Sequence, residues 1–401
     1  MSRQSQYSAA PSFLGYFYQC RYALLETLRR LPEDDTISIG IETLDDVVFQ
    51  TGDSAVDVLQ TKLHINAPAN LTDASSDLWK TLRIWIEGQS DGTIPQDARF
   101  FLVTTAVCGD GAAAAYLRPG NNRDEQKALQ RLAATASTST NTTNAPAYQA
   151  FSSLNNERRR RLMKSITVLD GSPLFDQLDS HLRQAIFYAV ERRFLDSYLQ
   201  RLEGWWYGRV VGHLRDDKAT SIRGEEIESE ASRIREQLKE DALPIDDDIM
   251  QAAIDAAGYS EEMFVRQLGL IDIQNPNRVM RAIKNYYRAF EQRSRWMREE
   301  LLHVGELDRY DDRLFEDWDI LFQIMRDKLG DETSDKERIR AGQDIYEWVE
   351  TKNHHAIRPT VTESAIARGT YQMLADDLRV GWHPEFRDRL GVPSEEAENN
   401  Q

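Results

Sequence analysis

Apolar residues recur at helical spacing near the start of the chain. Leu14, Phe17, Tyr18, Tyr22, Leu25 and Leu28 predict a helix over Pro11–Arg30, stopped by Leu31-Pro32-Glu33-Asp34-Asp35. The period then changes to two. Thr36–Ile41, Val47–Gln50 and Val56–Ile65 read as three short strands separated by turns. Asp77–Glu87 returns to helical spacing, with Leu78, Leu82, Trp85 and Ile86 inward, and Arg99–Thr105 is an apolar strand. The order is helix, three strands, helix, strand. Ala133–Ala147, rich in Ala, Ser, Thr and Asn, reads as a loop or loose insertion. Phe151–Lys164 reads as a helix and Ser165–Asp170 as a further strand.

Beyond Pro173 the pattern becomes long and amphipathic. Helical periodicity covers Leu174–Leu214, Glu225–Lys239, Asp246–Ala257, Val279–Val304, Asp311–Leu329 and Arg338–Trp348. The expected organisation is an α/β domain over residues 1–172, a mostly α-helical domain over 173–394 and a polar, frayed tail over 395–401.

Composition refines this picture. No run reaches the roughly 18 apolar residues of a membrane span. The opening Met1–Gln6 lacks the apolar stretch of a signal peptide. Two cysteines, Cys20 and Cys108, make neither a disulfide framework nor a zinc site, so the expected setting is cytoplasmic and reducing. The net charge of −17 opposes simple phosphate binding. A DNA-binding role then requires a local basic face, metal ions or partner subunits.

The candidate chemistry lies in the three strands. Gln60 and Lys62 share one face of theirs because strand side chains alternate. Asp46 precedes the neighbouring strand. A carboxylate on one strand, with an amide oxygen and an ammonium on the next, can hold a divalent metal and an activated water. A Gln-x-Lys triplet alone is more often only a solvent-facing strand pattern. Here Asp45-Asp46 precedes it at hairpin distance, Glu42 lies nearby, and Glu26 stands on the first helix two turns beyond Gly15-Tyr16-Phe17-Tyr18-Gln19.

Order and motif together resemble the PD-(D/E)xK restriction-endonuclease-like fold. That fold carries an acidic residue on the second strand of a meander and a (D/E/Q)xK motif on the third. The resemblance implies that Asp46 and Gln60 are metal ligands for Mg²⁺ (or Mn²⁺) and that Lys62 polarises water or neutralises phosphate charge. Gln60 stands where a carboxylate is usual, as in Mrr-like variants. Gly15–Gln19, Ile41–Val47, Leu59–His64 and Asp77–Leu82 look like the double-stranded-DNA endonuclease domain of bacterial antiphage effectors. These include CBASS-associated endonucleases and the nuclease subunits of Lamassu, or ABC-three-component, systems. This likeness covers about the first 170 residues. Phe194–Leu199, Leu202–Tyr207 and Leu243–Asp246 look like the C-terminal region of ABC-three-component effectors.

In the Lamassu-like case the resemblance implies double-stranded DNA as substrate, an SMC-like ATPase and a small accessory subunit as partners, and control of cleavage by assembly. Cutting both strands with one site per chain requires two chains brought together, a homo-oligomer in the active state, or two successive nicks. The competing readings are a catalytically inactive scaffold and a nucleotide-activated CBASS-type endonuclease. No phosphate-binding loop appears after Pro173 to support the latter.

Other features weigh less. Arg158-Arg159-Arg160-Arg161 is the strongest basic run and a candidate DNA contact, or equally a solvated helix face. Trp205-Trp206-Tyr207 is an interface anchor or, preferably, core packing. Tyr286-Tyr287 with Arg293, Arg295 and Arg298 reads as an ordinary charged helix, given the interleaved Glu291, Glu299 and Glu300. His354-His355 point apart as neighbours do, and His64 shares the face of Lys62.

Overall fold

The computed structural model describes residues 10–43, 46–52, 56–63, 70–215, 221–330, 332–352 and 354–391. Asp45, His64 and the tail from 395 to 401 lie outside these residues. The chain divides into two compact units, Met1–Arg235 and Glu236–Gln401.

The first unit begins with helix α1 (Ala10–Arg30), which buries Tyr18, Tyr22, Ala23, Leu24 and Leu25. Arg29 and Arg30 in its last turn complement the negative end of the helix dipole. Strands β1 (Ile37–Ile41), β2 (Val47–Thr51) and β3 (Asp57–Lys62) follow as an antiparallel meander. Ile41 pairs with Val47, and Val47 in turn with Leu59. A short β4 (Asn70–Leu71) precedes α2 (Ser76–Asp91), which crosses the sheet. The crossover makes β5 (Arg99–Thr104) parallel to β3, as a helical connection requires. Strand β6 (Val107–Cys108) pairs parallel with β4.

Three helices then lie between β6 and the next strand: α3 (Glu125–Thr138), α4 (Ala145–Ser153) and α5 (Asn156–Ser165). The expected loop over 133–147 is therefore mostly helical. Its alanines supply helix propensity, and Ala128, Leu132, Ala147, Tyr148 and Phe151 are buried. The expected helix over 151–164 is interrupted at Leu154–Asn155, where the Asn155 side chain caps α5 by accepting from Arg158 N–H. Strand β7 (Ile166–Leu169) pairs parallel with β5.

Helices α6 (Phe175–Ala185) and α7 (Leu195–Arg215), strand β8 (Ile222–Arg223) and helix α8 (Gly224–Gln237) follow. The six-stranded sheet has the order β7-β5-β3-β2-β1-β8. The first unit thus runs past the boundary expected at 172. The reason lies in α1. Arg21 pairs with Asp179 of α6 and Glu203 of α7, Trp206 Nε1 donates to Cys20 O, and β8 adds to the β1 edge.

Side chains alternate across β3. Val58 joins Trp79, Leu82, Trp85, Phe100 and Leu102 in the core beneath α2. Asp57 faces α1. Its carboxylate, 5% exposed, accepts from Arg30 at 2.7 Å and Arg99 at 2.6 Å, and the Arg30 guanidinium lies 4.4 Å over the Phe49 ring. Asp57→Ala leaves both arginines without this partner. It is expected to destabilise the fold by about 1–3 kcal/mol, read as a lowered midpoint in urea unfolding at unchanged slope.

The second unit is helical: α9 (Asp247–Met250), α10 (Met263–Leu270), α11 (Pro276–Arg298), α12 (Glu306–Lys328), α13 (Asp335–Thr351), α14 (Ser364–Asp376) and α15 (Phe386–Arg389). The helix expected over 246–257 is reduced to one turn, while α10 and α14 arise where no periodicity marked them. Helix α14 packs along α11 at its centre, with Ala365, Ile366, Ala367, Thr370, Tyr371 and Leu374 all buried. Among the described residues no helix is long and apolar enough to cross a membrane.

Candidate functional site

The meander brings Asp46 to the Gln60-Thr61 end of β3. The β2–β3 ladder ends at Val47 opposite Leu59, with Asp46 just before it on one side and Gln60-Thr61 just after it on the other. There the backbone ladder gives way to a side chain. Asp46 Oδ2 accepts from Thr61 N at 2.7 Å and from Thr61 Oγ1 at 2.8 Å. Its other oxygen, Oδ1, has no hydrogen bond among the described residues. Gln60 is 3% exposed, and its Oε1 is buried with no hydrogen-bond partner among the described residues. Such an orphaned carbonyl oxygen costs about 1–3 kcal/mol, so its presence needs a cause.

Lys62 ends β3 on the face of Gln60, half-buried and opposite Thr104 of β5. Its carbonyl accepts from Thr105 N at 3.2 Å. Among the described residues no carboxylate pairs with its ammonium.

Glu42 lies in the turn between β1 and β2 with φ 55°, a left-handed conformation that disfavours side chains. Its N–H donates to Asp46 O at 3.0 Å. Close approach also marks Gly40 near the end of β1, where a Cβ would stand 2.5 Å from Thr43 Oγ1 of the turn. Gln19 reaches the turn from α1. Its Nε2 donates to Glu42 Oε1 at 3.0 Å and to Asp46 O at 2.5 Å. The sequence marked Gln19 only as part of a motif. Its role depends on helix-to-turn packing, which no local pattern announces.

Other candidates lie apart from this cluster. Glu26 pairs with Arg29 and Arg30, beside Asp57 at the start of β3, whereas Lys62 is at its end. Asp45 and His64 lie outside the described residues. The basic run on α5 is at the opposite end of the sheet. Arg161 lines a recess with Gln96, Asp97 and Arg99 at the start of β5, while Lys62 pairs with Thr104 at its finish. The six residues of β5 put these ends about 17 Å apart. Arg159 is used structurally, donating to Phe151 O and Ser152 O, and Arg161 pairs with Glu157.

The donors near Asp46 suit a hard cation. They are carboxylate and amide oxygens, the set that Mg²⁺ prefers. Among the described residues no group of three or more His, Cys, Asp or Glu could hold a metal. A cation here would depend on Asp46 Oδ1, the unpartnered Gln60 Oε1, water and phosphate oxygens, with Glu42 as the nearest further carboxylate.

Thiol chemistry has no support at this site. Burial, and then the Glu42 charge, push the Cys20 thiol up to about 11, and burial with Asp170 pushes Cys108 up to about 12. Both stay protonated at pH 8, and the thiolate is the reactive form. Neither is expected to be alkylated by iodoacetamide at pH 8 in the folded protein, while both label in urea. Mass spectrometry of the labelled protein checks this.

The remaining candidates have structural partners. Trp206 is fully buried, and Tyr207 packs 5.1 Å from Phe17 of α1, so these two aromatics serve the core of the first unit. Arg293 pairs with Asp311, and Arg295 with Asp246 and Asp248. The His354 ring bonds the Val349 carbonyl through Nε2, while His355 faces Asp317.

No curated protein matches the chain. Residues 264–390 match C-terminal domain 7 of the ABC-three component (ABC-3C) systems. The match runs from α10 through α15 within the second unit. It begins after all the segments on which the C-terminal likeness was read, Phe194–Leu199, Leu202–Tyr207 and Leu243–Asp246. The chain carries a C-terminal domain of ABC-three component antiphage systems and is a component of such a system.

Proposed function

We propose that the chain is the Mg²⁺-dependent double-stranded DNA endonuclease of its ABC-three component system. The observation that carries this reading is the Gln60 amide oxygen, buried and unpartnered on the face of Lys62, next in the chain to the Thr61 that holds Asp46. A bound Mg²⁺ supplies Lewis-acid polarisation of a phosphate oxygen and a lowered pKa for water. Asp46 and Gln60 would hold it through their free oxygens. Thr61 fixes the Asp46 carboxylate by donating two hydrogen bonds to Oδ2. The Lys62 ammonium would offset charge that develops on a phosphate bound there.

The acidic surface and the remote arginine run fit an enzyme that depends on assembly to meet DNA. Partners of the kind the resemblance implies, an SMC-like ATPase and a small accessory subunit, hold the sites apart until activation joins two chains for a double-strand cut. The C-terminal domain match favours this setting over a CBASS-type effector. One observation favours a non-catalytic scaffold. Asp46 already spends one oxygen completing the strand, a purpose that outlives catalysis.

Incubating the purified protein with supercoiled plasmid separates these readings. With partners and Mg²⁺, nicked and linear products are expected, and EDTA abolishes them. Intact plasmid in every assembly leaves the scaffold.

A further inference from the structure

We infer that Gln19 is a positioning residue for the cation site, a step that rests on the endonuclease reading. Asp46 is held at two points. Thr61 of β3 donates to its Oδ2, and Gln19 of α1 donates to its main-chain oxygen at 2.5 Å. The same Gln19 amide binds Glu42 Oε1 at 3.0 Å, so one buried side chain, 4% exposed, ties both turn acids to the helix. Glu42 N–H closes the turn onto the same Asp46 oxygen at 3.0 Å.

Gln19 is itself fixed by its neighbours. Tyr18 OH donates to Pro173 O at 3.0 Å, Cys20 O accepts from Trp206 Nε1 at 2.9 Å, and Arg21 pairs with Glu203 at 2.6 Å. Tyr18, Cys20 and Arg21, on either side of the clamp, are therefore anchored to the segment from 173 through α7. With the main chain and Oδ2 both fixed, the direction of Oδ1 is fixed too. That oxygen has no hydrogen bond among the described residues, and it is the one left for a cation. Outer groups that orient a ligand commonly matter 10–100-fold in metal affinity.

The test uses the full chain. Gln19→Leu keeps the volume and removes the donor. Gln19→Asn keeps the donor but shortens its reach, and serves if the leucine variant does not fold. Mn²⁺ binding is followed by electron paramagnetic resonance, with Asp46→Ala as the reference for site occupancy. Plasmid cleavage is followed against Mg²⁺ concentration in the assembled complex.

We expect Mn²⁺ affinity to fall about tenfold or more in the Gln19 variant, with a matching rightward shift of the Mg²⁺ dependence. Excess Mg²⁺ should rescue Gln19→Leu and should not rescue Lys62→Ala. Unchanged Mn²⁺ affinity in a folded Gln19 variant, with Asp46→Ala losing the ion, overturns the role of Gln19 and leaves the endonuclease reading standing. Mn²⁺ binding that Asp46→Ala does not alter, or no binding by the native chain, overturns both.

Discussion

Gly369→Ala is expected to destabilise the second unit by about 3 kcal/mol or more, at the upper end for overpacked cores. A Cβ at this position would lie 1.9 Å from Asn285 O and 2.5 Å from the Ala289 side chain. The obstacle is the backbone of α11, so no rotamer change removes it. Helices α11 and α14 must separate instead. Their contact is the centre of the matched domain and includes Ala282, Ile283, Ala289, Ile366 and Leu374. Separation also strains the buried Arg293, which donates to Thr370 Oγ1 at 3.1 Å and Asp311 at 2.8 Å. For a unit of this size the loss corresponds to a fall in Tm of about 6–12 °C. Calorimetry of the full chain reads it directly. A Tm within a degree of the parent would mean that the two helices are not packed as described.

Gln60→Leu is expected to stabilise the fold while removing cleavage. The native amide leaves Oε1 buried and unpartnered, whereas leucine fills similar space without a polar atom. Relief of that cost should raise stability by about 1–3 kcal/mol. Loss of a ligand or of electrostatic support at the reacting phosphate should lower the cleavage rate by roughly 10²–10³-fold. Opposite signs on stability and activity separate a functional oxygen from a packing one. A residue retained only for the core would lose stability on replacement and leave activity alone. The pair of measurements is a denaturant midpoint and a plasmid cleavage rate on the same preparation.

The sequence revealed those parts of the fold whose periodicity is local. The three-strand meander, α2, β5 and β7 all lie within a residue or a few of the expected ranges, because each has a clean buried face. Helices α3 and α4 escaped notice because small residues do much of their packing, with Ala128 and Ala147 taking places where larger apolar residues would have signalled a face. Helix α14 escaped for the opposite reason. It is buried on nearly every side, so it has no polar stripe to set a period. Helices α6 and α7 look like the start of a separate helical domain in sequence. Only tertiary contacts, such as Arg21 with Glu203, show that they belong to the first unit.

The candidate site divides in the same way. Gln60 and Lys62 share a face by alternation, and the β2–β3 register brings Asp46 to the same end of β3, so both placements follow from strand period. Gln19, the unpartnered Gln60 oxygen and the hydrogen bonds from Thr61 to Asp46 depend on how α1 and β3 approach the turn. Glu26 and the α5 arginines looked relevant by composition. Sequence carries no measure of distance along the sheet, and the structure puts them at its far end.

The most direct measurement is the rate at which the assembled complex converts supercoiled plasmid at saturating Mg²⁺, with the native chain and with Lys62→Ala in parallel. Lys62 has no carboxylate partner among the described residues, so the variant should fold and assemble as the native chain does. The account predicts Mg²⁺-dependent nicking and linearisation by the native complex and a loss of roughly 10²–10³-fold in the variant. Equal cleavage by both complexes would contradict it.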